Sequence, residues 1–271
     1  MTHILRTEWL KIKGYKAFWA VLAMTALTYP GINYMFWYEY KQMIAKEKST
    51  GQMAKMLLGN PFTFPEVFHT SAFLSSIFVF IPAIVVIMLI TNEYTYKTSR
   101  QNIIDGWSRR EFMIGKLFDV LLVTLMVTIL LGITSFVVGN IATKDPVTDP
   151  FKEWWYIGLF ALQTFAQLSL AFFVGFLVRR AFIALSIFVF YFLIFENAAV
   201  GILKFKANDI GRFLPLELSD RMIPNPAFIG KFNPEGYEKS LTEIQPHTIY
   251  TLILITLIWG LCFWINNRRD L

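Results

Sequence analysis

The chain has 271 residues, of which 55% are hydrophobic and only 16% are charged, and its formal net charge is +6. A water-soluble globular domain of this size could not cover so much apolar surface, so the composition excludes that class. The single cysteine, Cys262, excludes a disulfide within the chain.

Six apolar stretches divide the chain, and each is about as long as a lipid bilayer is thick. A helix needs roughly 20 apolar residues to cross about 30 Å of hydrocarbon, where no backbone group can be left unpaired. We therefore predict an all-α polytopic membrane protein that forms a single transmembrane domain over residues 1–271. Its six predicted spans are Ala17–Trp37, Ser71–Thr91, Leu117–Ile141, Trp154–Val178, Ala181–Leu203 and His247–Ile265.

The predicted orientation follows from the basic residues. If the chain begins inside, the inside segments 1–16, 92–116, 179–180 and 266–271 are short and dense in Lys and Arg, whereas the outside loops are long and balance their basic residues with acidic ones. Dense positive charge in short segments stays on the cytoplasmic side during insertion. We therefore predict a protein integral to the inner or plasma membrane, with both termini cytoplasmic and in contact with membrane lipid. The positive net charge then reflects orientation, so no nucleic-acid partner is expected.

The segment His3–Lys16, before the first span, has a two-sided pattern. At helical spacing Leu5, Trp9 and Ile12 share one face, while the basic residues lie elsewhere: Arg6, Lys11 and Lys13. This pattern predicts an interfacial helix over residues 1–16 or, alternatively, an ordinary charged flank of the first span.

Two prolines interrupt the first two spans. Pro30-Gly31 predicts a kink or an end in the outer third of the first span. Pro82 lies midway in the second span, where neighbouring helices must satisfy the carbonyl that it frees.

The fourth span carries a polar and small-residue stripe: Gln163, Gln167, Ala171 and Gly175. These residues recur every four positions and so share one helix face, and Ala171 with Gly175 forms a small-xxx-small pair that allows close helix approach. One interpretation is helix packing with interhelical amide hydrogen bonds. The other is a wet face that lines a transport path.

Glu196 is the only carboxylate well inside a predicted span. A charge at the bilayer centre costs about 2.5–3.5 kcal/mol on insertion scales, so it needs a partner, water or a proton. Because Asn197 and Ala198 follow it, we predict that the helix breaks there and that Glu196 faces an outer vestibule, touching substrate or a loop base such as Lys204, Lys206 or Arg212. Alternatively, Glu196 caps the broken helix. The candidate translocation-path residues are Glu196, Asn197, Gln163 and Gln167.

The external segment 204–246 contains apolar pieces punctuated by proline. A flexible solvent loop would carry fewer apolar residues, so we predict short external helices that dip into the outer leaflet before the last span.

Catalytic and cofactor motifs are missing from the chain. It has no phosphate-binding G-x-x-x-x-G-K-[ST], no G-x-S-x-G and no H-E-x-x-H, and its histidines are scattered over both predicted sides: His3, His69 and His247. We therefore expect no enzyme activity, no cofactor and no metal.

The most specific segment is the charged linker Asn92–Asp119, which is helix-compatible and unusually charged for a mere connector. It resembles the permease subunit of ABC-2-type exporters, in which a Glu, a Thr, a basic residue, a turn with Ser-Arg and a Gly-Lys follow in order. The matching residues are Glu93, Thr98, Arg100, Gly106, Ser108, Arg109, Gly115 and Lys116. Two features depart from the family: Asp105-Gly106-Trp107 stands where a Pro often precedes Ser-Arg, and the first external loop, Tyr38–Thr70, is long.

The resemblance implies the membrane subunit of an ATP-driven exporter that has no ATPase activity of its own. Two separate ATP-binding subunits would hold the coupling segment 92–116 in their grooves. A second copy, or a homologous permease, would pair along the first, second and fifth spans. The implied substrate is a lipid, glycan, peptide or hydrophobic drug.

Two other functions stay open at this point. One is a non-transporting anchor or regulatory subunit of an envelope machine driven by a cytoplasmic ATPase. The other, a secondary transporter, would need ion-coupling carboxylates in several spans, and only Glu196 is present.

Overall fold

A computed structural model describes residues 2–45, 59–206 and 209–268 of the chain. It is all-helical, with 83% helix, and the described residues contain no strand. This confirms the all-α prediction. Parts of the predicted loops Tyr38–Thr70 and 204–246, and the last three residues, lie outside the described residues.

The described residues of the first half of the chain form six α-helices. They are α1 (Thr2–Gly14), α2 (Lys16–Ala45), α3 (Val67–Ser76), α4 (Phe80–Thr95), α5 (Thr98–Ile104) and α6 (Arg109–Ala142). The predicted coupling segment is therefore not one helix. It comprises the end of α4, the short helix α5 and the first two turns of α6.

In the described part of the second half, two long helical units come first, short helices follow, and one long helix comes last. The elements in chain order are α7 (Trp155–Val178), α8 (Ala181–Phe190), a π-helical turn (Tyr191–Phe195), α9 (Glu196–Lys206), a 3-10 turn (Ile210–Phe213), α10 (Pro215–Asp220), α11 (Ala227–Gly230) and α12 (Pro234–Arg268). The short helices predicted for 204–246 are thus present. The last helix begins 13 residues before the predicted start at His247, because Pro246 lies inside α12 and does not end it.

Four helical units among the described residues are long and apolar enough to cross a membrane: α6, α7, the unit Ala181–Lys204 and α12. The pair α3 and α4 counts as a fifth if it is taken as one bent span. The predicted first span corresponds to α2, which has 30 residues but is outside this set. Polar residues such as Asn33 lower its mean hydropathy.

The predicted second span is bent rather than straight. Its two halves, α3 and α4, meet at 51° across a break at residues 77–79. Pro82 lies in the first turn of α4, where its missing N–H removes no helical hydrogen bond. Pro30 lies inside α2, which continues to Ala45. Of the two predicted alternatives, the one in which the helix ends at Pro30 is therefore wrong.

Helix α7 is the centre of the bundle, and it packs against α3, α4, α6, α8, α10 and α12. The short helix α10 does not lie apart from the bundle. Its residues Leu216 and Leu218 are buried, and it contacts both α7 and α12. By contrast, only 17% of the apolar window of Ala181–Lys204 is buried, so this unit lies at the periphery.

The two ends of the bundle differ in composition. One end, here called the α5 end, contains α1, α5, the start of α6 and the close of α12, as the hydrogen bond from Arg109 to the carbonyl of Asn266 shows. The opposite end, here called the α10 end, contains α10 and the start of α12. Both described chain ends therefore lie at the same end of the molecule.

Candidate functional site: a buried charge cluster that holds a surface helix

Five ionisable side chains from three helices form a charge cluster at the α5 end: Glu8, Lys11, Glu93, Lys116 and Asp119. The ammonium nitrogen of Lys116 lies 2.5 Å from Glu8 Oε2 and 2.7 Å from Glu93 Oε1. It lies 3.0 Å from Asp119 Oδ2. All three N–H donors of Lys116 therefore have a carboxylate acceptor, so the ammonium group is fully satisfied.

Lys11 closes the cluster on its outer side. Its ammonium nitrogen lies 3.0 Å from both Glu8 Oε1 and Glu93 Oε1. Burial acts to raise the pKa of Glu8, but the ammonium groups of Lys116 and Lys11 outweigh it, so this pKa lies below its usual range. The cluster is thus an ionic contact among α1, α4 and α6 that replaces water with protein partners.

Helix α5 is attached directly to the charge cluster. Thr98, its first residue, donates a hydrogen bond of 2.5 Å from Oγ1 to Glu93 Oε2. Ser99 and Asn102 are buried, so one face of α5 packs inward. The turn into α5 passes through Lys97, whose backbone is left-handed with φ 56°.

The connection from α5 to α6 explains the turn residues of the predicted motif. Gly106 has φ 97°, a conformation that favours glycine. Ser108 then begins α6 with a capping box, in which its Oγ accepts the N–H of Glu111 and the Glu111 carboxylate accepts the N–H of Ser108.

The first turns of α6 contact two other helices. Arg109 donates hydrogen bonds to the carbonyls of Asn266 (3.2 Å) and Asn267 (2.9 Å) at the end of α12. At Gly115 a Cβ atom would lie 3.2 Å from Glu8 Cγ, so the absence of a side chain lets α1 approach α6.

The predicted coupling residues therefore fall into three groups. Glu93 and Lys116 belong to the charge cluster and are buried rather than displayed on a surface, and Thr98 is hydrogen-bonded to Glu93. The turn and the start of α6 contain Gly106, Ser108, Arg109 and Gly115. Arg100 lies on α5 and is exposed. Arg109 and Lys116 belong to α6, so they do not share a short helix with Arg100.

Three members of this cluster, Glu8, Lys11 and Asp119, were not predicted as partners from the sequence. The buried residues of α1 are Ile4, Glu8 and Ile12, whereas the predicted face included Trp9, which is 38% exposed. The sequence signal that could have identified Glu8 is its spacing, because it lies four positions from both Ile4 and Ile12 and so shares their helix face. Its meaning depends on Lys116, which is 108 positions away.

A second polar contact forms at the α10 end around Asp220. Gln163 and Gln167 each donate from Nε2 to Asp220 Oδ1, at 2.6 Å and 2.7 Å. The two predicted glutamines thus hold α10 against α7, which matches the packing interpretation of the stripe. Asp220 also opens onto cavities of about 230 Å³ and 410 Å³. Desolvation by the surrounding protein, with smaller effects from the charges of Glu217 and Glu196, raises the pKa of Asp220 to about 7.

Glu196 holds the other side of α10. Its Oε1 accepts the backbone N–H of Glu217 at 2.7 Å, in the first turn of α10. Among the described side chains it pairs with no Lys or Arg, and the side chain of Lys206 lies outside them. Both Glu196 and Asn197 line the cavity of about 230 Å³.

The predicted helix break at Asn197-Ala198 is wrong in position and in kind. The helix continues through these residues, and the irregularity is the π-helical turn that ends at Phe195. Asn197 donates from Nδ2 to the carbonyls of Phe192 (3.1 Å) and Leu193 (3.2 Å). Its side chain therefore satisfies carbonyls within the π-turn, where the regular ladder of backbone hydrogen bonds is interrupted.

An all-helical bundle with several apolar spans, and with the charge cluster at one end, defines a polytopic membrane protein. A family model described as "ABC-2 family transporter protein" matches residues 4–195, more than two thirds of the chain. The chain belongs to this family and is a permease subunit of an ABC transporter, a membrane component whose family generally works with an ATP-binding subunit. No curated protein matches the chain. The matched range includes the charge cluster and α5, and it ends just before Glu196.

Proposed function

We propose that this permease subunit exports a hydrophobic or amphipathic substrate and that α5 is the helix on which its ATP-binding subunit docks. The observation that carries this proposal is the outer surface of α5 and of the turn before it. Tyr96 is 72% exposed and Ile104 is 78% exposed, and exposed polar residues, Arg100 among them, lie between them. Helix α5 has seven residues, too few to cross a membrane, and we infer that these exposed apolar side chains meet a protein partner.

The charge cluster gives α5 a mechanical connection to the membrane helices. A force on α5 reaches Glu93 through Thr98, and it reaches α1 and α6 through Lys116. Because the cluster is buried and every N–H of Lys116 is bonded, it resists local deformation. A movement of the ATP-binding subunit would therefore shift α1, α4 and α6 together. Arg109 would hold the end of α12 to the start of α6, so that α12 moves with these helices.

The proposed assembly has two permease copies and two ATP-binding subunits. Six spans are counted when α2 is included as the first and the bent pair α3–α4 as the second, with both termini cytoplasmic. The unit Ala181–Lys204 leaves most of its apolar surface uncovered within one copy, which supports its place in the seam with α2 and α4. Cysteine pairs placed in α4 and α8 should crosslink between copies, and a strictly monomeric complex with one ATP-binding subunit would contradict this assembly.

The proposed path for substrate lies beside the bend between α3 and α4. The cavity of about 230 Å³ is lined there by Ser76, Glu196 and Asn197. Gln163 and Gln167 act one step away, because they hold α10 at the border of this cavity. Export direction is supported by the resemblance of the Glu93–Lys116 series to ABC-2 exporters.

The test of docking is the variant Ile104→Asp, which places a charge on the outer face of α5 without changing a buried contact. We expect the ATP-binding subunit to be lost on purification of the complex, while the permease keeps its thermal unfolding midpoint. The matched control is Ile210→Asp, which changes an isoleucine of 59% exposure at the α10 end. Retention of the ATP-binding subunit by Ile104→Asp would remove α5 from the interface.

Substrate-stimulated ATP hydrolysis by the purified complex then separates export from the anchoring function. An exporter accelerates hydrolysis when its substrate is added and moves that substrate into inverted vesicles. An anchor or regulatory subunit retains docking on α5 but shows neither response.

A further inference from the structure

A second feature of the α5 end is a cavity of about 580 Å³ between α5, the end of α4 and the junction of α7 with α8. This volume is in the range of small-molecule sites, about 300–1,000 Å³. Four cations line it: Lys97, Arg100, Arg179 and Arg180. None of the described residues that line it is acidic, and in the described part of the chain none of the four cations is paired with a carboxylate. We call it the basic cavity.

Arg179 is held in a defined position in the basic cavity. It ends α7 in a left-handed conformation, φ 59°, with its N–H donating to the carbonyl of Gly175 at 2.9 Å. Its guanidinium carbon lies 4.7 Å from the ring centroid of Tyr94, which fixes the plane of the side chain. Its Nε atom is buried and has no hydrogen-bond partner. A buried donor on a fixed cation needs an acceptor that the chain does not supply.

The position of the basic cavity relative to the membrane indicates which molecule supplies that acceptor. Arg179 and Arg180 are the only residues between two candidate spans, which end at Val178 and begin at Ala181. A two-residue link cannot carry these guanidinium groups far into bulk water, so they lie at the level of the lipid headgroups. Flanking residues remain open to lipid, since Leu177 is 38% exposed and Phe182 is 81% exposed.

We propose that the basic cavity binds the phosphate of an anionic lipid headgroup, whose acyl chains lie against the apolar surface around Leu177 and Phe182. A phosphate group offers several acceptor oxygens to the planar guanidinium groups of Arg179 and Arg180. Basic pockets between membrane helices at the headgroup level are the expected sites of anionic lipids. An acidic segment of a protein partner is the competing occupant, but it would not use the exposed apolar residues beside the junction of α7 and α8.

The test uses the purified full chain in neutral detergent micelles, with thermal unfolding and native mass spectrometry as readouts. Phosphatidylglycerol should raise the unfolding midpoint and stay bound, whereas phosphatidylcholine and inorganic phosphate at equal concentration should do neither. In Arg179→Gln/Arg180→Gln the apparent affinity for phosphatidylglycerol should fall by roughly tenfold to thirtyfold. The control Lys144→Gln/Lys152→Gln removes two charges from the loop between α6 and α7 and should keep the wild-type preference.

Because Arg179 also stacks on Tyr94, a second pair, Lys97→Gln/Arg100→Gln, removes cavity charge without touching that contact. It should weaken phosphatidylglycerol binding as well. Equal effects of the two lipids, or an intact preference in both variants, would overturn the proposal. An equal effect of inorganic phosphate would reassign the basic cavity to soluble phosphates. Loss of a co-purified ATP-binding subunit from Arg179→Gln/Arg180→Gln, with its preference for phosphatidylglycerol intact, would reassign the basic cavity to protein docking.

Discussion

The ammonium group of Lys116 donates a hydrogen bond of 2.5 Å to the carboxylate of Glu8, across 108 positions of sequence. The same nitrogen bonds Glu93 at 2.7 Å, so one atom connects α1, α4 and α6. Forming such a buried cluster costs desolvation free energy, and it contributes little net stability over an apolar contact of equal volume. Removing one member is different, because it leaves buried charges without a partner.

We therefore expect Lys116→Met to lower the free energy of unfolding by about 3–5 kcal/mol, since three carboxylates lose their shared cation. Thermal and denaturant unfolding in detergent micelles measure this change. The control is Lys13→Met, on the exposed face of α1, which should change stability by no more than about 0.5 kcal/mol. Similar stability of the two variants would show that the cluster is open to water.

Gly175 provides a test of helix packing at the centre of the bundle. A Cβ atom there would lie 2.7 Å from Ile90 Cγ2 and 3.4 Å from the Cα atom of Ile87, so either the Ile90 side chain or α4 itself must shift. We expect Gly175→Ala to destabilise the protein by about 1–3 kcal/mol.

The matched control for Gly175 lies on the same helix. A Cβ atom added at Gly158 would meet no other atom within 4 Å, so Gly158→Ala adds helix propensity without a clash. It should be neutral or stabilise by up to about 1 kcal/mol. Equal effects of the two substitutions on the thermal midpoint would contradict close packing of α4 on α7.

Asp220 should make stability depend on pH. Its pKa of about 7 in the folded protein lies above the ordinary value of about 3.9, so the folded state binds the proton more tightly. The resulting stability is fully present below about pH 4 and is lost as the pH rises through about 7. The midpoint of the wild type minus that of Asp220→Asn should therefore fall between about pH 5 and pH 8. A difference that does not change with pH would show that Asp220 is ionised throughout.

Substitutions of Glu196 distinguish a structural cap of α10 from a charge that acts in the substrate path. Glu196→Gln keeps an acceptor for the N–H of Glu217, so we expect the thermal midpoint to stay close to that of the wild type. Because it removes the charge that faces the cavity, transport into inverted vesicles should fall. Glu196→Ala loses the acceptor too and should cost about 1–2 kcal/mol of stability. Normal transport by Glu196→Gln would leave Glu196 only its structural role.

The sequence by itself determined the class of the protein and the approximate positions of its apolar helices. Transfer of a helix into lipid depends on the summed hydropathy of neighbouring residues, which is local information. The ordered series from Glu93 to Lys116 also identified the segment that contains α5 and the start of α6. Its turn and cap residues, Gly106 and Ser108, act on adjacent backbone and so were accessible to sequence reasoning.

Only the tertiary structure decided which charged groups meet. Glu8 and Lys116 lie on different helices, and Asp220 receives amide hydrogen bonds from a helix more than 50 positions earlier in the chain. The π-turn before Glu196 and the bend before Pro82 were not predicted from the sequence either. Hydropathy and periodicity report how each helix partitions, but they carry no information on which faces pack together. In this protein the partners of buried polar groups come from those faces, because lipid offers none.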